Sequence, residues 1–422
     1  MATEKVATIP TIDHKPHAAF FRQSGWLMIA NILSGMMAWA VHLLNKSQSV
    51  GPSEYSIFVT MLMVMACVPT LPLQMVPAQQ TAGALATGRD RQLAGMIRLG
   101  WFWTFIIWVI GCAIIFSFQG TIVVQWKLKS SLVLWVALAA TLMNLWMPLF
   151  TGVLQGRQDF FWMGWASIVG GVGRVAVAVF MVLVLHSGAT GMVFGAFAGL
   201  GVWALIAIWR SRDLWLTPPE PFDGRGLFKQ AAPLFLGFGA FQFLFTTDMM
   251  FAKPFFSGDE MASYGAAGTL SRALLWVVLP LATVMFPKIV HASAKSEKSN
   301  LLGIALLGTA ILAIGGAAAL CIVGPFVVKL IYSSGYVALT TKLLPWYAGA
   351  MIPLALANVL LNDLMARGKF KVVVPMVLLA IAYGFTMPLM LEKFTRMEVA
   401  LQTLGMFNLL LLGICAAFSF RK

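Results

Sequence analysis

Charge is what this sequence lacks. Only 10% of its 422 residues are Asp, Glu, Lys or Arg, against 60% hydrophobic, and its mean hydropathy is +0.85. Soluble domains carry about 25% charged residues, so a soluble globular class is excluded. Acids are the scarcer sign, 15 against 29 Lys and Arg. They are scattered, which excludes an aspartate-rich magnesium–diphosphate site, because hard cations need several oxygen ligands together. The four cysteines, Cys67, Cys112, Cys321 and Cys415, lie singly inside apolar runs. That spacing supports neither a disulfide framework nor a zinc site and fits small buried hydrophobes. The five histidines are dispersed, and no GxSxG, HExxH or P-loop pattern occurs. No loop between apolar runs is long enough to hold a soluble catalytic domain. The sequence therefore predicts no catalytic residues, no cofactor and no metal, and argues against an enzyme.

What is present is a series of long apolar runs. A bilayer-crossing helix needs about 20 mostly apolar residues, and twelve runs qualify: 24–44, 56–77, 98–118, 132–154, 162–185, 190–209, 231–254, 263–286, 301–323, 343–364, 370–390 and 397–419. The expected fold is an all-α polytopic membrane protein. The first 20 or so residues are polar and mixed in charge, and the first run is of span length. This predicts a tail ahead of a span rather than a cleavable leader. The excess of bases, a net charge of +14, does not signal nucleic acid, because the bases sit in short loops rather than on one exposed face. There they set topology and attract anionic lipid headgroups. With the N-terminus placed in the cytoplasm, 19 Lys and Arg fall on the cytoplasmic side and 8 on the other. Both termini are expected to be cytoplasmic, in a cytoplasmic (inner) membrane.

The longest linker, Ser211 to Lys229, carries Pro-Pro-Glu-Pro, an extended helix-breaking segment. It divides the chain into a tail (1–23), a first six-helix bundle (24–210), a linker (211–229) and a second six-helix bundle (230–422). The halves repeat. GPSEYSIF around Tyr55 matches SGDEMASYGAA around Tyr264, and LQGRQDF around Arg157 matches MARGKF around Lys369, at nearly the same offset. With six spans in each half, the repeats enter the membrane in the same sense and are related by an axis along the membrane normal, with the site between them.

One stretch departs from this apolar background. Phe241 to Lys288 is two apolar runs joined by an acidic turn, with Asp248 in the first run and Arg272 in the second. Ionisable groups at membrane depth are costly and usually face a bundle interior or a water-filled cavity, which points to a transporter.

The order of GPSEYSIF, then DMMFAKPFFSGDEMASYGAAGTLSRALLWVVLPLATVMFPKI, then GPFVVKLIYSSGYVALTTKLLPWYAGAMIPLALANVLLNDLMARGKFK resembles the polysaccharide-biosynthesis membrane proteins. These include the O-antigen and capsule-unit flippases of the multidrug, oligosaccharidyl-lipid and polysaccharide exporter superfamily. The resemblance covers nearly the whole chain. It implies two six-helix bundles in an inverted V, alternating access, and a lipid-linked oligosaccharide or polysaccharide precursor as cargo. Expected partners are that cargo, membrane lipids, a coupling proton or sodium ion, and polysaccharide-synthesis enzymes. Other readings are a multidrug antiporter of the same superfamily, against which the in-span bases argue, and a non-transporting scaffold of a synthesis complex.

Five residues stand out as site candidates. Arg174 and Arg272 suit a phosphate, since a guanidinium presents a rigid fork of donors and stays charged. Arg272 also reads as an arginine reaching back to the interface, and Arg174 as one paired with a carbonyl or with Asp248. Asp248 reads either as the group that binds a coupling proton or sodium ion, or as one side of a structural ion pair. Gln74 and Asn144 suit sugar hydroxyls, or bind helix to helix. Trp146, Trp162 and Trp165 suit sugar stacking or an interfacial belt.

Overall fold

Proline and glycine punctuate the apolar runs, and the helices begin, bend and touch where they fall. The computed structural model describes residues 15–275, 301–332, 335 and 337–420, with side chains from residue 26 onward. The first bundle comprises α1 (Lys15–Ala40, extended by a 3₁₀ turn Val41–Lys46), α2 (Pro52–Ala66), α3 (Thr70–Thr87), α4 (Asp90–Ser117), the short α5 (Gln119–Gln125), α6 (Leu132–Gly156), α7 (Phe160–Val179, continued by a π turn Phe180–Val184) and α8 (Gly188–Arg210). A short α9 (Arg212–Trp215) lies in the linker. There follow α10 (Gly224–Ala252), α11 (258–275), α12 (Leu301–Ile331), α13 (Val337–Ala366), α14 (Val373–Phe394) and α15 (Met397–Phe420).

Among the described residues, 11 spans are long and apolar enough to cross a membrane. They correspond to eleven of the twelve expected runs. The remaining run, 263–286, is helical as far as 275, and its other end lies outside the described residues, as do the loop bases Lys288, Lys295 and Lys298 and most of the N-terminal tail. The spans alternate in direction, so the helix starts at 15 and 224 and the end at 420 share one side of the bundle, here the terminal end. The loops after Lys46, Gln125, Val184, Ala252, Ile331 and Phe394 share the distal end.

The second expected span differs from the structure. Instead of one helix over 56–77, the chain runs from Pro52 to Thr87 with a break at residues 67–69 between α2 and α3. Pro69 lacks an N–H and disfavours helical geometry at Val68, so the helix stops and restarts.

The helices pair by the same scheme twice. Contacts α1–α7, α7–α8, α6–α8 and α4–α6 recur as α10–α14, α14–α15, α13–α15 and α12–α13. Because lipid is as apolar as the helices, close backbone approach replaces the hydrophobic effect as the glue. A Cβ on Gly152 would lie 2.3 Å from the Gln74 carbonyl oxygen, and one on Gly195 2.7 Å from that of Arg174, so α3–α6 and α7–α8 touch backbone to backbone. Two adjacent glycines of α7 pack on different helices: Gly170 meets the Gly199 carbonyl of α8 and Gly171 meets Met37 of α1. In the second bundle α13 is central and mostly buried, whereas α4 buries five of its residues, Leu93, Ala94, Met96, Ile97 and Thr104.

Overpacking a tight helix contact costs about 1–3 kcal/mol. Gly152→Leu is expected to lower the detergent melting temperature and the monodisperse yield. Gly111→Leu, at a position with nothing within 4 Å, is expected to change neither in the same size-exclusion and thermal-shift measurements.

Candidate functional site

The second bundle encloses a charged centre built from three helices. Asp248 lies one turn before the distal end of α10 and is fully buried. Arg272 lies two turns beyond Tyr264 on α11. A helical side chain tilts towards its own N-terminus, so the Arg272 guanidinium reaches back along α11 towards Asp248. Its Nη2 donates to Asp248 Oδ1 at 2.5 Å and its Nε to the Phe245 carbonyl at 3.0 Å. The other carboxylate oxygen, Oδ2, accepts from Tyr264 at 3.0 Å and from Tyr347 of α13. The guanidinium lies over the rings of Tyr347 and Phe245, 5.2 Å and 5.6 Å from their centroids. A methyl at Gly268 would fall 2.7 Å from Arg272 Nη1 and 2.9 Å from the Tyr347 hydroxyl, so glycine there makes room for the pair.

The centre is crowded but not saturated. Among the described residues Arg272 Nη1 and the hydroxyl of Tyr383, which packs on α10 and α15 rings, have no hydrogen-bond partner. Asp248 and Arg272 are thus brought together as an ion pair, with Arg272 pointing inward and not to an interface.

Arg174 is different. It sits past the middle of α7, half-buried against α8, with Gly195 and Gly199 opening room for its backbone and Cβ. Its buried Nε has no partner among the described residues, and its charge acts on His42 of the first helix. It does not meet Asp248. Gln74 and Asn144 are engaged elsewhere: Gln74 donates to Gln155 Oε1 at 2.9 Å and Asn144 to the Met65 carbonyl at 2.7 Å. Both are helix-to-helix bonds. Trp146 stacks edge-on with Trp101, Trp162 lies under Arg210, and Trp165 packs on Trp26.

A second polar zone joins the bundles. From mid-depth to the distal end, Gln242 donates to the Ala66 carbonyl, Cys67 meets the Thr246 hydroxyl, Lys253 donates to Ser56 Oγ and Lys127 to the Phe256 carbonyl. Tyr55, bonded to His42, donates to Tyr332, while Asn45 and Lys46 reach the carbonyls of Ile331 and Leu330. At the terminal end the linker lies along α4, with Arg98 donating to the carbonyls of Trp215, Leu216 and Thr217 and Arg91 paired with Glu220. There the Asp213 carboxyl, though partly buried, is held below its ordinary range by the Arg157 guanidinium.

Sequence reasoning missed Tyr347, Tyr383 and the bonding of Lys253. The missed signal is compositional: the chain has 31 Phe but 6 Tyr. Tyr55, Tyr264, Tyr332, Tyr347 and Tyr383 are all fully buried. Against so much phenylalanine, a buried tyrosine marks a place where a hydroxyl is used.

The family model "Lipid II flippase MurJ" matches residues 90–420. The chain belongs to the MurJ family. It is a multi-pass membrane transporter of the flippase kind, and its family is not one of enzymes. Solved structures agree on the fold. An inward-facing MATE-family multidrug resistance transporter of the MOP superfamily aligns with a TM-score of 0.72 at 13% identity, covering 92% of this chain and 93% of that one. Lipid II flippase MurJ in an inward closed conformation aligns at 0.62 and 13% identity, covering 93% and 89%. The Vibrio cholerae MATE transporter VcmN in its bent form aligns at 0.63 and 14%, covering 94% and 95%. No curated protein sequence matches. The family matched is MurJ, and the fold is the one seen in MATE transporters of the MOP superfamily.

Removing one member of a buried ion pair costs about 3–5 kcal/mol because the other is left uncompensated. Arg272→Met is expected to destabilise the protein strongly in detergent thermal unfolding. Arg272→Met combined with Asp248→Leu is expected to recover most of that loss, since neither charge then remains buried alone.

Proposed function

We propose that this protein moves a polyprenyl-diphosphate-linked saccharide between leaflets by rocking its two bundles, divided at the 211–229 linker. The observation that carries the cargo class is Arg174. Arg272, deep in its span, has its carboxylate, whereas the buried Nε of Arg174, also away from its span's ends, has no partner among the described residues. Desolvated phosphate is prohibitively costly without a counter-charge, and a guanidinium with open donors supplies one. Family membership favours lipid II, the cargo in the family's name; O-antigen and capsule precursors share its lipid–diphosphate–sugar chemistry. Gln74 and Asn144 contact sugar in this scheme by exchanging their helix-to-helix bonds for hydroxyls.

The fold supports alternating access, having been solved in inward-facing and outward-facing conformations of MATE transporters. In this chain the bonds between bundles run from mid-depth to the distal end, so this state is closed distally. With the termini cytoplasmic, that is the outer side, and cargo enters from the cytoplasm.

Asp248 couples transport to an ion in this proposal through competition. Both of its oxygens are occupied, by Arg272 and by two tyrosines. A proton or sodium ion reaching Asp248 therefore takes the place of the Arg272 charge and releases α11 from α10. Asp248→Asn is expected to abolish the response of transport to ion gradients; transport with an unchanged gradient response removes Asp248 from coupling.

The cargo is tested by leaflet translocation in proteoliposomes, comparing fluorescent lipid II with a polyprenyl-diphosphate O-antigen-type sugar. Wild type is expected to translocate lipid II faster, and Arg174→Ala to slow it at least about tenfold, the worth of about 1.4 kcal/mol. Equal rates for the two sugars assign the broader cargo class. Equal rates for wild type and variant remove Arg174 from the site. Export of cationic drugs without lipid translocation favours the multidrug reading, and no transport of either favours the scaffold.

A further inference from the structure

The distal seam is held by ammonium groups that have no carboxylates among the described residues. Lys253 is 1% exposed, and its Nζ donates to Ser56 Oγ at 2.5 Å. Lys127 Nζ donates to the Phe256 carbonyl at 2.9 Å, and Lys46 Nζ to that of Leu330. Each bond crosses from one bundle to the other, and each acceptor is neutral. The seven ion pairs among the described residues use Arg91, Lys129, Arg157, Arg210, Arg272, Lys342 and Arg367, and none of these three lysines. Glu54, whose field reaches Lys253, is already committed to Lys129 at 2.5 Å and to the Ala189 N–H at the start of α8 at 2.7 Å.

What compensates the lysines is neutral oxygen, most of it backbone. Leu330 and Ile331 are the last residues of α12, and Phe256 closes the turn after α10. The Leu330 carbonyl, at the C-terminal end of α12, belongs to the negative end of that helix's dipole, worth a fraction of a formal charge, while the Phe256 carbonyl lies in the turn between α10 and α11. That compensation is conditional, because every one of the three acceptors belongs to the opposite bundle. When the bundles part distally the lysines lose it together, at the mouth that then opens.

We propose that Lys253, Lys127 and Lys46 form an anion site of the distally open state, which receives the cargo's diphosphate before release. The proposal rests on the reading that the cargo carries a diphosphate. It divides the work between two kinds of base. Arg174, a rigid fork in the interior, selects the phosphate, whereas lysine is a compact, strongly hydrated point charge on a flexible stem that binds phosphate without fixed geometry. Such a group draws the anion outward and lets it go to water. It also gives the cargo a means of opening the seam, because an anion that prefers the open state shifts the population towards it by its differential affinity.

The test reads opening directly. In the full-length protein, with its four cysteines replaced by serine, Val59→Cys places a reporter on the fully buried α2 face that packs against Gly265 of α11. Proteoliposomes are treated from the distal side with a membrane-impermeant maleimide, with farnesyl diphosphate or with farnesol. Farnesyl diphosphate is expected to raise the labelling rate about fivefold or more, the low end of typical coupling between sites, and farnesol to leave it unchanged. Lys253→Gln is expected to lose the rise, Lys253→Arg to keep it, and Lys127→Gln, an independent variant outside the buried core, to reduce it. A full rise in Lys253→Gln and Lys127→Gln overturns the lysine site while leaving the flippase reading intact. No rise in wild-type vesicles that do translocate lipid II overturns it equally. Wild type that neither responds nor translocates any lipid-linked diphosphate overturns the underlying function as well.

Discussion

A carboxylate inside a membrane protein has to be neutralised where it stands, and the second bundle is arranged around doing so for Asp248. Three separate helices contribute: α11 sends Arg272 and Tyr264, α13 sends Tyr347, and α10 contributes the Phe245 carbonyl alongside the acid itself. None of these groups satisfies its neighbours alone. The carboxylate needs a charge and two hydroxyls, the guanidinium needs a carboxylate and a carbonyl, and glycine at 268 is required for them to meet. In a low-dielectric interior a half-made network of this kind is worse than none. The position of α11 against α10 and α13 is thereby fixed far more narrowly than apolar packing alone fixes it, because leucine against lipid and leucine against leucine are nearly equivalent.

The first bundle reaches rigidity by a different route. Among the described residues its interior has no comparable ion pair; it has contacts so close that a single added carbon does not fit, at Gly152 against α3 and at Gly195 and Gly199 against α7. The bundles are alike in helix pairing and unlike in chemistry. This asymmetry is visible at the repeat-related tyrosines. Tyr264 donates to a carboxylate inside its own bundle, whereas Tyr55 works with His42 and reaches across to Tyr332 of the other. One tyrosine serves its own bundle and the other the interface.

Much of this was legible in the residues. Hydropathy and length located eleven of the spans, because the cost of exposing backbone in lipid favours long apolar helices. Helix ends such as Thr87, Asp90 and Ile331 lie eight to ten residues beyond the expected bounds, since polar helix ends add little to the hydropathy. Asp248 and Arg272 stood out for the same reason: against an apolar background a charge has no camouflage. Their pairing did not, since 24 residues separate them and only the return of α11 alongside α10 brings them together. The break at 67–69 was also missed. Hydropathy averages over it, and Pro69 follows Val68 in a run that stays apolar on both sides. Arg174 was legible as an in-span base, but its open Nε depends on what α8 leaves unfilled. The tyrosines were hidden by their apolar bodies, and only their rarity beside phenylalanine marked them.

That break at 67–69 also changes how force travels. A continuous helix is stiff along its axis, and a pull at one end is felt at the other. Here α2 is gripped by the second bundle at Ser56, Tyr55 and the Ala66 carbonyl, while α3 is fastened within the first bundle by Gln74 to Gln155 and by the glycine contacts of α6. The Cys67 N–H still bonds back to the Val64 carbonyl, but the α-helical ladder does not continue through residues 67–69. The two segments are therefore separate levers sharing one joint: load that the second bundle places on α2 reaches α3 through three residues, far from the linker that joins the bundles in sequence.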